Sequence, residues 1–161
     1  MEDYKLLNFI DLTMEEKLLV LEWRNTETIK SWMYNQSEIQ IEEHLSFIDS
    51  LVNNDNKLYF LLKKSNEYLG VIDFTDITKD SCYFGFYSNP NSMVVGIGRI
   101  LEKVSLTYAF ETLKVNKLKL EVFKNNIQVK NLHKKNRFKE VDEIMVNNKE
   151  VICMELRYED R

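Results

Sequence analysis

The stretch "SMVVGIGRIL", Ser92 to Leu101, constrains this chain more than any other. It places two of only four glycines one residue apart, directly ahead of a long helical pattern. Before it lie a strand-like run, "SCYFGFY", and an irregular segment holding Asn89 and the single proline, Pro90. Strand, irregular segment and glycines entering a helix outline an anion site. The first turn of a helix offers unpaired N–H groups and a positive dipole end, and glycine admits a phosphate close to the backbone. A tight turn is the plainer reading of the same residues. A dinucleotide fold would need a third glycine where Leu101 stands, and a P-loop would need Gly-Lys followed by Ser or Thr.

The rest of the chain supplies the setting. At 161 residues, 44% apolar and 30% charged, it suits one domain over residues 1–161. "KLLNFIDL" reads as a first strand. Thr13 and Glu16 form a capping-box pattern ahead of an amphipathic helix ending near "RNT", and Ile41, Leu45, Ile48 and Val52 mark a second helix. "KLYFLLKK", "YLGVIDFTDI" and "SCYFGFY" are consecutive antiparallel strands. A third helix follows the glycines to about Leu113. "KLKLEVF" alternates as a strand, and Asn126 caps a fourth helix to about Asn136. "KEVDEIMV" and "EVICMELRY", joined by "NNK", close the chain as a hairpin. The order β-α-α-β-β-β-α-β-α-β-β predicts an α+β domain with a single, mixed but mostly antiparallel sheet and about four helices.

Composition excludes several classes. The formal charge of -4 argues against general nucleic-acid binding, although the run from Lys124 to Lys139 is locally basic. That run is either a solvated helix face or a landing place for a polyphosphate. No stretch approaches a membrane span and no signal peptide opens the chain, so a cytoplasmic protein is expected. Cys82 and Cys153 lack CxxC spacing and read as small buried hydrophobes. There is no HExxH, no Cys/His cluster and no GxSxG elbow, so no metal is expected and serine acyl transfer lacks its parts.

With the glycines in this position, the sequence resembles the GNAT family of acetyl coenzyme A dependent N-acetyltransferases. The family's pyrophosphate loop, Arg/Gln-x-x-Gly-x-Gly/Ala, is matched at Gly96 and Gly98, with Met93 in the Arg/Gln position. Its later pattern, N-x-x-A-x-x-x-Y-x-x-x-G-F, is similar to Asn126, Val129, His133, Arg137 and Phe138, of which Asn126 and Phe138 match strictly. The resemblance implies cofactor contacts from Val95, Gly96, Ile97, Gly98, Arg99, Asn126 and Lys130. It also implies contacts from Phe86 and Tyr87, where the family's strand splays from its neighbour and offers backbone N–H groups to the cofactor.

"LEWRN", "SWMY", "EEHLSFI" and "YLGVIDFTDI" are similar to the sugar-nucleotide N-acetyltransferases of the pseudaminic acid pathway. These acetylate the 4-amino group of UDP-4-amino-4,6-dideoxy-N-acetyl-β-L-altrosamine on the way to the sugar that decorates flagellin. That likeness implies substrate contacts from Arg24, Asn25, Met33, Tyr34, His44, Phe47 and Tyr87. Arg24 suits a diphosphate, and the aromatic rings suit uracil or a deoxysugar's methyl edge. Read without the resemblance, Trp32, Met33 and Phe47 are core residues, Arg24 closes a helix end, and His44 meets a backbone carbonyl.

Acetyl transfer to an amine needs an unprotonated nucleophile, donors for the carbonyl oxygen and a proton for the departing thiolate. Glu121 and Asp73, set in otherwise apolar strands, are the expected bases, because a carboxylate held within a sheet has a raised pKa. The other reading of Glu121 is an exposed strand face shared with Lys117 and Lys119. His133 stands where the family has a tyrosine as general acid; an imidazolium can do that work, or His133 is an exposed residue on a basic helix. The expected reaction is direct attack in a ternary complex, by a monomer or homodimer acting on a UDP-aminosugar without nucleic-acid or membrane partners. Acetylation of a protein amino terminus and a degenerate domain that binds coenzyme A without turnover are the alternatives.

Overall fold

The structure, a computed structural model, describes residues 3–161. Seven strands form one mixed sheet: β1 (Tyr4–Asn8), β2 (Leu58–Lys64), β3 (Glu67–Thr75), β4 (Ser81–Ser88), β5 (Lys117–Phe123), β6 (Lys139–Val146) and β7 (Lys149–Arg157). Their order is β1-β2-β3-β4-β5-β7-β6, and every pairing is antiparallel except β4 with β5. The helices are α1 (Met14–Arg24), the single turn α2 (Glu27–Lys30), α3 (Ile41–Ser50), α4 (Ile97–Thr107) and α5 (Ile127–Lys135). The expected element order holds, with the single turn α2 added between the two helices expected after β1.

Local chemistry explains the boundaries. The capping box at the start of α1 is complete: Glu16 N–H donates to Thr13 Oγ1, and Thr13 N–H donates to Glu16 Oε1. Such a cap stabilises a helix by about 1 kcal/mol. β1 stops earlier than the apolar run "KLLNFIDL" suggests, because the Asn8 side chain accepts from Ile10 N–H and bends Phe9–Asp11 into a 3₁₀ turn. Helix α4 continues through a π-helical turn at Tyr108–Thr112 to Leu113. Asn126 stands at the N-cap position just before α5, but its side chain makes no cap bond; the residue borders a cavity instead. The closing hairpin turns on Asn147 and Asn148, both at positive φ (50° and 64°), a conformation asparagine tolerates.

Each sheet face has its own core. On one, Phe60, Ile72, Phe74, Phe84, Leu118, Leu120 and Met154 pack against Leu101, Ala109 and Phe110 of the α4 segment. On the other, Leu61 and Val71 pack against Val20 and Trp23 of α1 and Ile48 of α3. Helices α1 and α3 cover only the β1–β4 half of that second face. Asp73, Gly85 and Glu121, farther along the same face, lie beside the segment that follows α2.

The parallel contact between β4 and β5 is short. Ser81, Cys82 and Tyr83 pair with Lys117, Leu118 and Lys119, and the two strands then diverge. From Phe84 to Ser88, β4 keeps its ladder with β3 but has no strand partner on its other edge. Backbone groups there that point away from β3 face an open wedge.

Candidate active site

The wedge opens into a cavity of about 610 Å³ that passes between the diverging strands and reaches both faces of the sheet. On the α1–α3 face it is bordered by Met33, Tyr34, Asp73, Tyr87 and Glu121, and on the α4–α5 face by Phe84, Phe86, Asn126, Val129 and His133. The three expected catalytic residues, far apart in sequence, therefore line one space.

Sheet register sets Asp73. Its cross-strand neighbours are Tyr59 on β2 and Gly85 on β4. A Cβ added at Gly85 would come within 3.2 Å of Asp73 Oδ2, so the glycine makes room for the carboxylate at the cavity wall. Burial pushes the Asp73 carboxyl up to about 6. The same burial, with the Asp73 charge nearby, raises the Tyr87 and Tyr59 hydroxyls. Glu121 is on the exposed alternate face of β5, as Lys117 and Lys119 require, and still reaches the cavity. Tyr34 Oη donates to Glu121 Oε1 at 2.6 Å, and burial together with that bond raises the tyrosine's pKa. Tyr34 and Trp32 also pack against Phe123 of β5, and Asn147 Nδ2 donates to Tyr34 O, so the segment after α2 is fastened to the far side of the wedge.

His133 is not exposed: it retains 5% of its surface, and its Nδ1 lies 2.5 Å from Oε1 of Glu102, which is fully buried. Phe84, Phe86 and Phe138 meet its ring edge-on. The lysines beside it in sequence face elsewhere, Lys130 and Lys134 pairing with Glu140 at 3.9 and 3.3 Å. Glu102 was not singled out in the sequence. Its signal is the spacing Gly98, Glu102, Ser105, Ala109, which places a carboxylate on the small-residue face of α4.

The glycine loop has the geometry an anion cradle needs. Gly96, at φ 74°, begins α4 in the left-handed region, and no atom stands within 4 Å of where its Cβ would be. A Cβ at Gly98 would meet only Leu132 Cδ2 at 3.5 Å, so both positions are open above the backbone. Met93 and Val95 are almost wholly exposed, while Ile97 packs on the core. Arg99 borders a separate groove between α4 and α5 that also holds Lys103, Lys135 and Arg161. The basic run after Lys124 is partly spent on ion pairs, since Lys124 contacts Glu143 and Glu150.

Among the residues expected on the substrate side, Met33, Tyr34 and Tyr87 border the cavity, and Arg24, Asn25, His44 and Phe47 do not. Arg24 closes α1, and its Nη2 donates to Asn35 O at 2.6 Å. Its buried Nη1 has no partner among the described residues. Burial lowers its pKa and the nearby Tyr87 opposes that shift. Asn25 is committed to Ile39, accepting from its N–H and donating to its carbonyl. His44 is buried with Nε2 2.8 Å from Lys17 O, tying α3 to α1, and Phe47 stands edge-on to Tyr59. Neither cysteine borders the cavity; both are free, and burial drives the Cys82 thiol up to about 12. Among the described residues, no cluster of His, Cys, Asp or Glu is placed to hold a metal ion, and no helix is long and apolar enough to cross a membrane.

Residues 7–139 match the family described as acetyltransferase (GNAT) domain. The chain belongs to the GNAT acetyltransferase family. It is an N-acetyltransferase, as the glycine loop and the later Asn126–Phe138 pattern led us to expect. It is 43% identical over 139 residues to the acetyltransferase PseH of Campylobacter jejuni subsp. jejuni serotype O:23/36 (strain 81-176), covering 86% of this chain and 87% of that protein. The crystal structure of Campylobacter jejuni PseH in complex with acetyl coenzyme A superposes with a TM-score of 0.79 at 39% identity, covering 96% of this chain and 99% of that one. A spermidine N-acetyltransferase from Vibrio cholerae, in complex with coenzyme A and spermine, has a TM-score of 0.88 at 17% identity, covering 98% and 97% of the two chains, and shares the fold.

Proposed function

We propose that this GNAT enzyme transfers the acetyl group of acetyl coenzyme A to the 4-amino group of UDP-4-amino-4,6-dideoxy-N-acetyl-β-L-altrosamine. This is a cytoplasmic step in making pseudaminic acid for flagellin, carried out by a monomer or homodimer. The observation that carries the reading is the cavity through the β4–β5 wedge, with two carboxylates on one sheet face and an imidazole on the other. The PseH relatives support acetyl transfer in the pseudaminic acid pathway, and the sugar is inferred from that pathway.

The residues fit the cosubstrate. The unpaired edge of β4 around Phe86, whose N–H points away from β3 whereas that of Tyr87 faces it, would hold the pantetheine arm and present a donor to the thioester oxygen. Gly96, Ile97 and Gly98 would cradle the pyrophosphate at the start of α4, with Asn126 and Val129 on the opposite wall. Bound there, acetyl coenzyme A supplies an activated acyl group. Met33, Tyr34 and Tyr87 orient the sugar, and Arg24, which lies outside the cavity, holds the segment carrying Met33 and Tyr34 through its bond to Asn35 O. Asp73, with its carboxyl near 6, takes the proton from the sugar's ammonium, and Glu121 holds the water or amine in line. His133 returns a proton on the thiolate side. No cysteine borders the cavity, in keeping with direct attack rather than an acetylated enzyme.

Thiol release tests this reading. Purified protein with acetyl coenzyme A should release coenzyme A with the UDP-4-aminosugar and not with spermidine or an amino-terminal peptide. Release with the peptide or the polyamine, and none with the sugar, would overturn it.

A further inference from the structure

One buried pair beside the cavity has an arrangement that packing alone does not explain. Helices α4 and α5 approach closely where Gly98 faces Leu132. One turn further along α4, Glu102 Oε1 lies 2.5 Å from His133 Nδ1. Glu102 Oε2 is buried with no partner among the described residues. An unsatisfied polar atom of this kind costs about 1–3 kcal/mol, which an apolar side chain at position 102 would avoid. The ring's other surroundings are Phe84 and Phe86 of β4 and Phe138 beyond α5, and the lysines of its own helix, Lys130 and Lys134, turn to Glu140. Glu102 is therefore the charged group that the structure sets against this imidazole. With Nδ1 engaged, Nε2 is the polar ring atom left for the cavity that His133 borders.

We infer that Glu102 is a positioning residue for His133: it locks the ring with Nδ1 toward α4 and shares one proton with it, so that Nε2 meets the cavity carrying a second. The inference rests on reading His133 as the acid. The pair then does what a tyrosine hydroxyl does unaided, presenting a proton donor with no net charge. As the amine nitrogen bonds to the acetyl carbon and the C–S bond breaks, Nε2 gives its proton to the sulfur. The shared proton settles on Nδ1, and the pair is left with one negative charge. Solvent, which receives by way of Asp73 both the ammonium proton and the second proton that the nitrogen sheds as it becomes an amide, restores the proton to Nε2.

The test has two arms. With only two histidines in the chain, ¹⁵N-histidine NMR separates His133 from His44. The ligand-free enzyme should show a far-downfield Nδ1 proton on His133, absent from Glu102→Gln; its absence from the parent enzyme would overturn the proposal. In kinetics, Glu102→Gln should lower kcat about 100-fold while the KM for acetyl coenzyme A stays within about twofold. In a His133→Tyr background the same change should cost less than about threefold, because a phenol needs no such partner. Equal losses in both backgrounds would make Glu102 merely structural. The NMR arm uses no substrate, so failure of the sugar to react would overturn the proposed function and leave this inference standing on its own result.

Discussion

Asp73→Asn should make the protein more stable and less active. Burial raises the Asp73 carboxyl from 3.8 to about 6, so the folded chain keeps a proton that the unfolded chain gives up between about pH 4 and pH 6. Because the folded value is the higher one, stability is lost as pH rises through that window, and the full loss is present above it. At about 1.4 kcal/mol per unit, the rise corresponds to about 3 kcal/mol near pH 7.5 and about 1 kcal/mol near pH 4.5. Asparagine has the same shape, carries no charge and fits the space left by Gly85. Urea unfolding should therefore show Asp73→Asn ahead of the parent by about 3 kcal/mol near pH 7.5, with the gap shrinking by about two-thirds near pH 4.5. The same variant should lose at least about tenfold in kcat, since it cannot accept the ammonium proton. A variant no more stable than the parent near neutrality, or one whose advantage does not shrink with acid, would refute the argument that desolvation raises this carboxyl.

Other substitutions examine the remaining parts of the site. Gly98→Val should fold, its Cβ in ordinary contact with Leu132, but should bind acetyl coenzyme A at least about tenfold more weakly by calorimetry. Arg24→Ala should raise the KM for the UDP-sugar far more than that for acetyl coenzyme A in steady-state assays, because it releases Asn35 O and with it the segment that carries Met33 and Tyr34 to the cavity. Arg137 holds φ 73° just after α5, where the family pattern has glycine; Arg137→Gly should raise stability by about 0.5–1 kcal/mol in urea melts by relieving left-handed strain.

Features encoded locally were legible in the sequence. Thr13 and Glu16 announce a cap three residues apart, and the alternation of Leu118, Leu120 and Val122 defines one strand face. Gly96 marks a left-handed helix start that no side chain would favour. What the sequence hid depends on distant partners. Nothing in "SCYFGFY" or "KLKLEVF" says that pairing stops after Tyr83 and Lys119, because a strand's own residues do not specify where a partner distant in sequence leaves it. His133 looked like a member of a basic helix because its sequence neighbours are lysines, whereas its spatial neighbour, Glu102, is 31 residues away on α4. Arg24, Asn25 and His44 looked equally polar in sequence. The fold gives Asn25 and His44 to backbone groups and leaves one Arg24 nitrogen unspent.

The central claim is that both substrates occupy the β4–β5 wedge together and that the amine takes the acetyl group without an enzyme-bound intermediate. An initial-rate matrix, varying acetyl coenzyme A against the UDP-4-aminosugar, tests it most directly. Double-reciprocal plots that intersect to the left of the ordinate are predicted; parallel lines, the signature of an acetylated enzyme, would contradict the account.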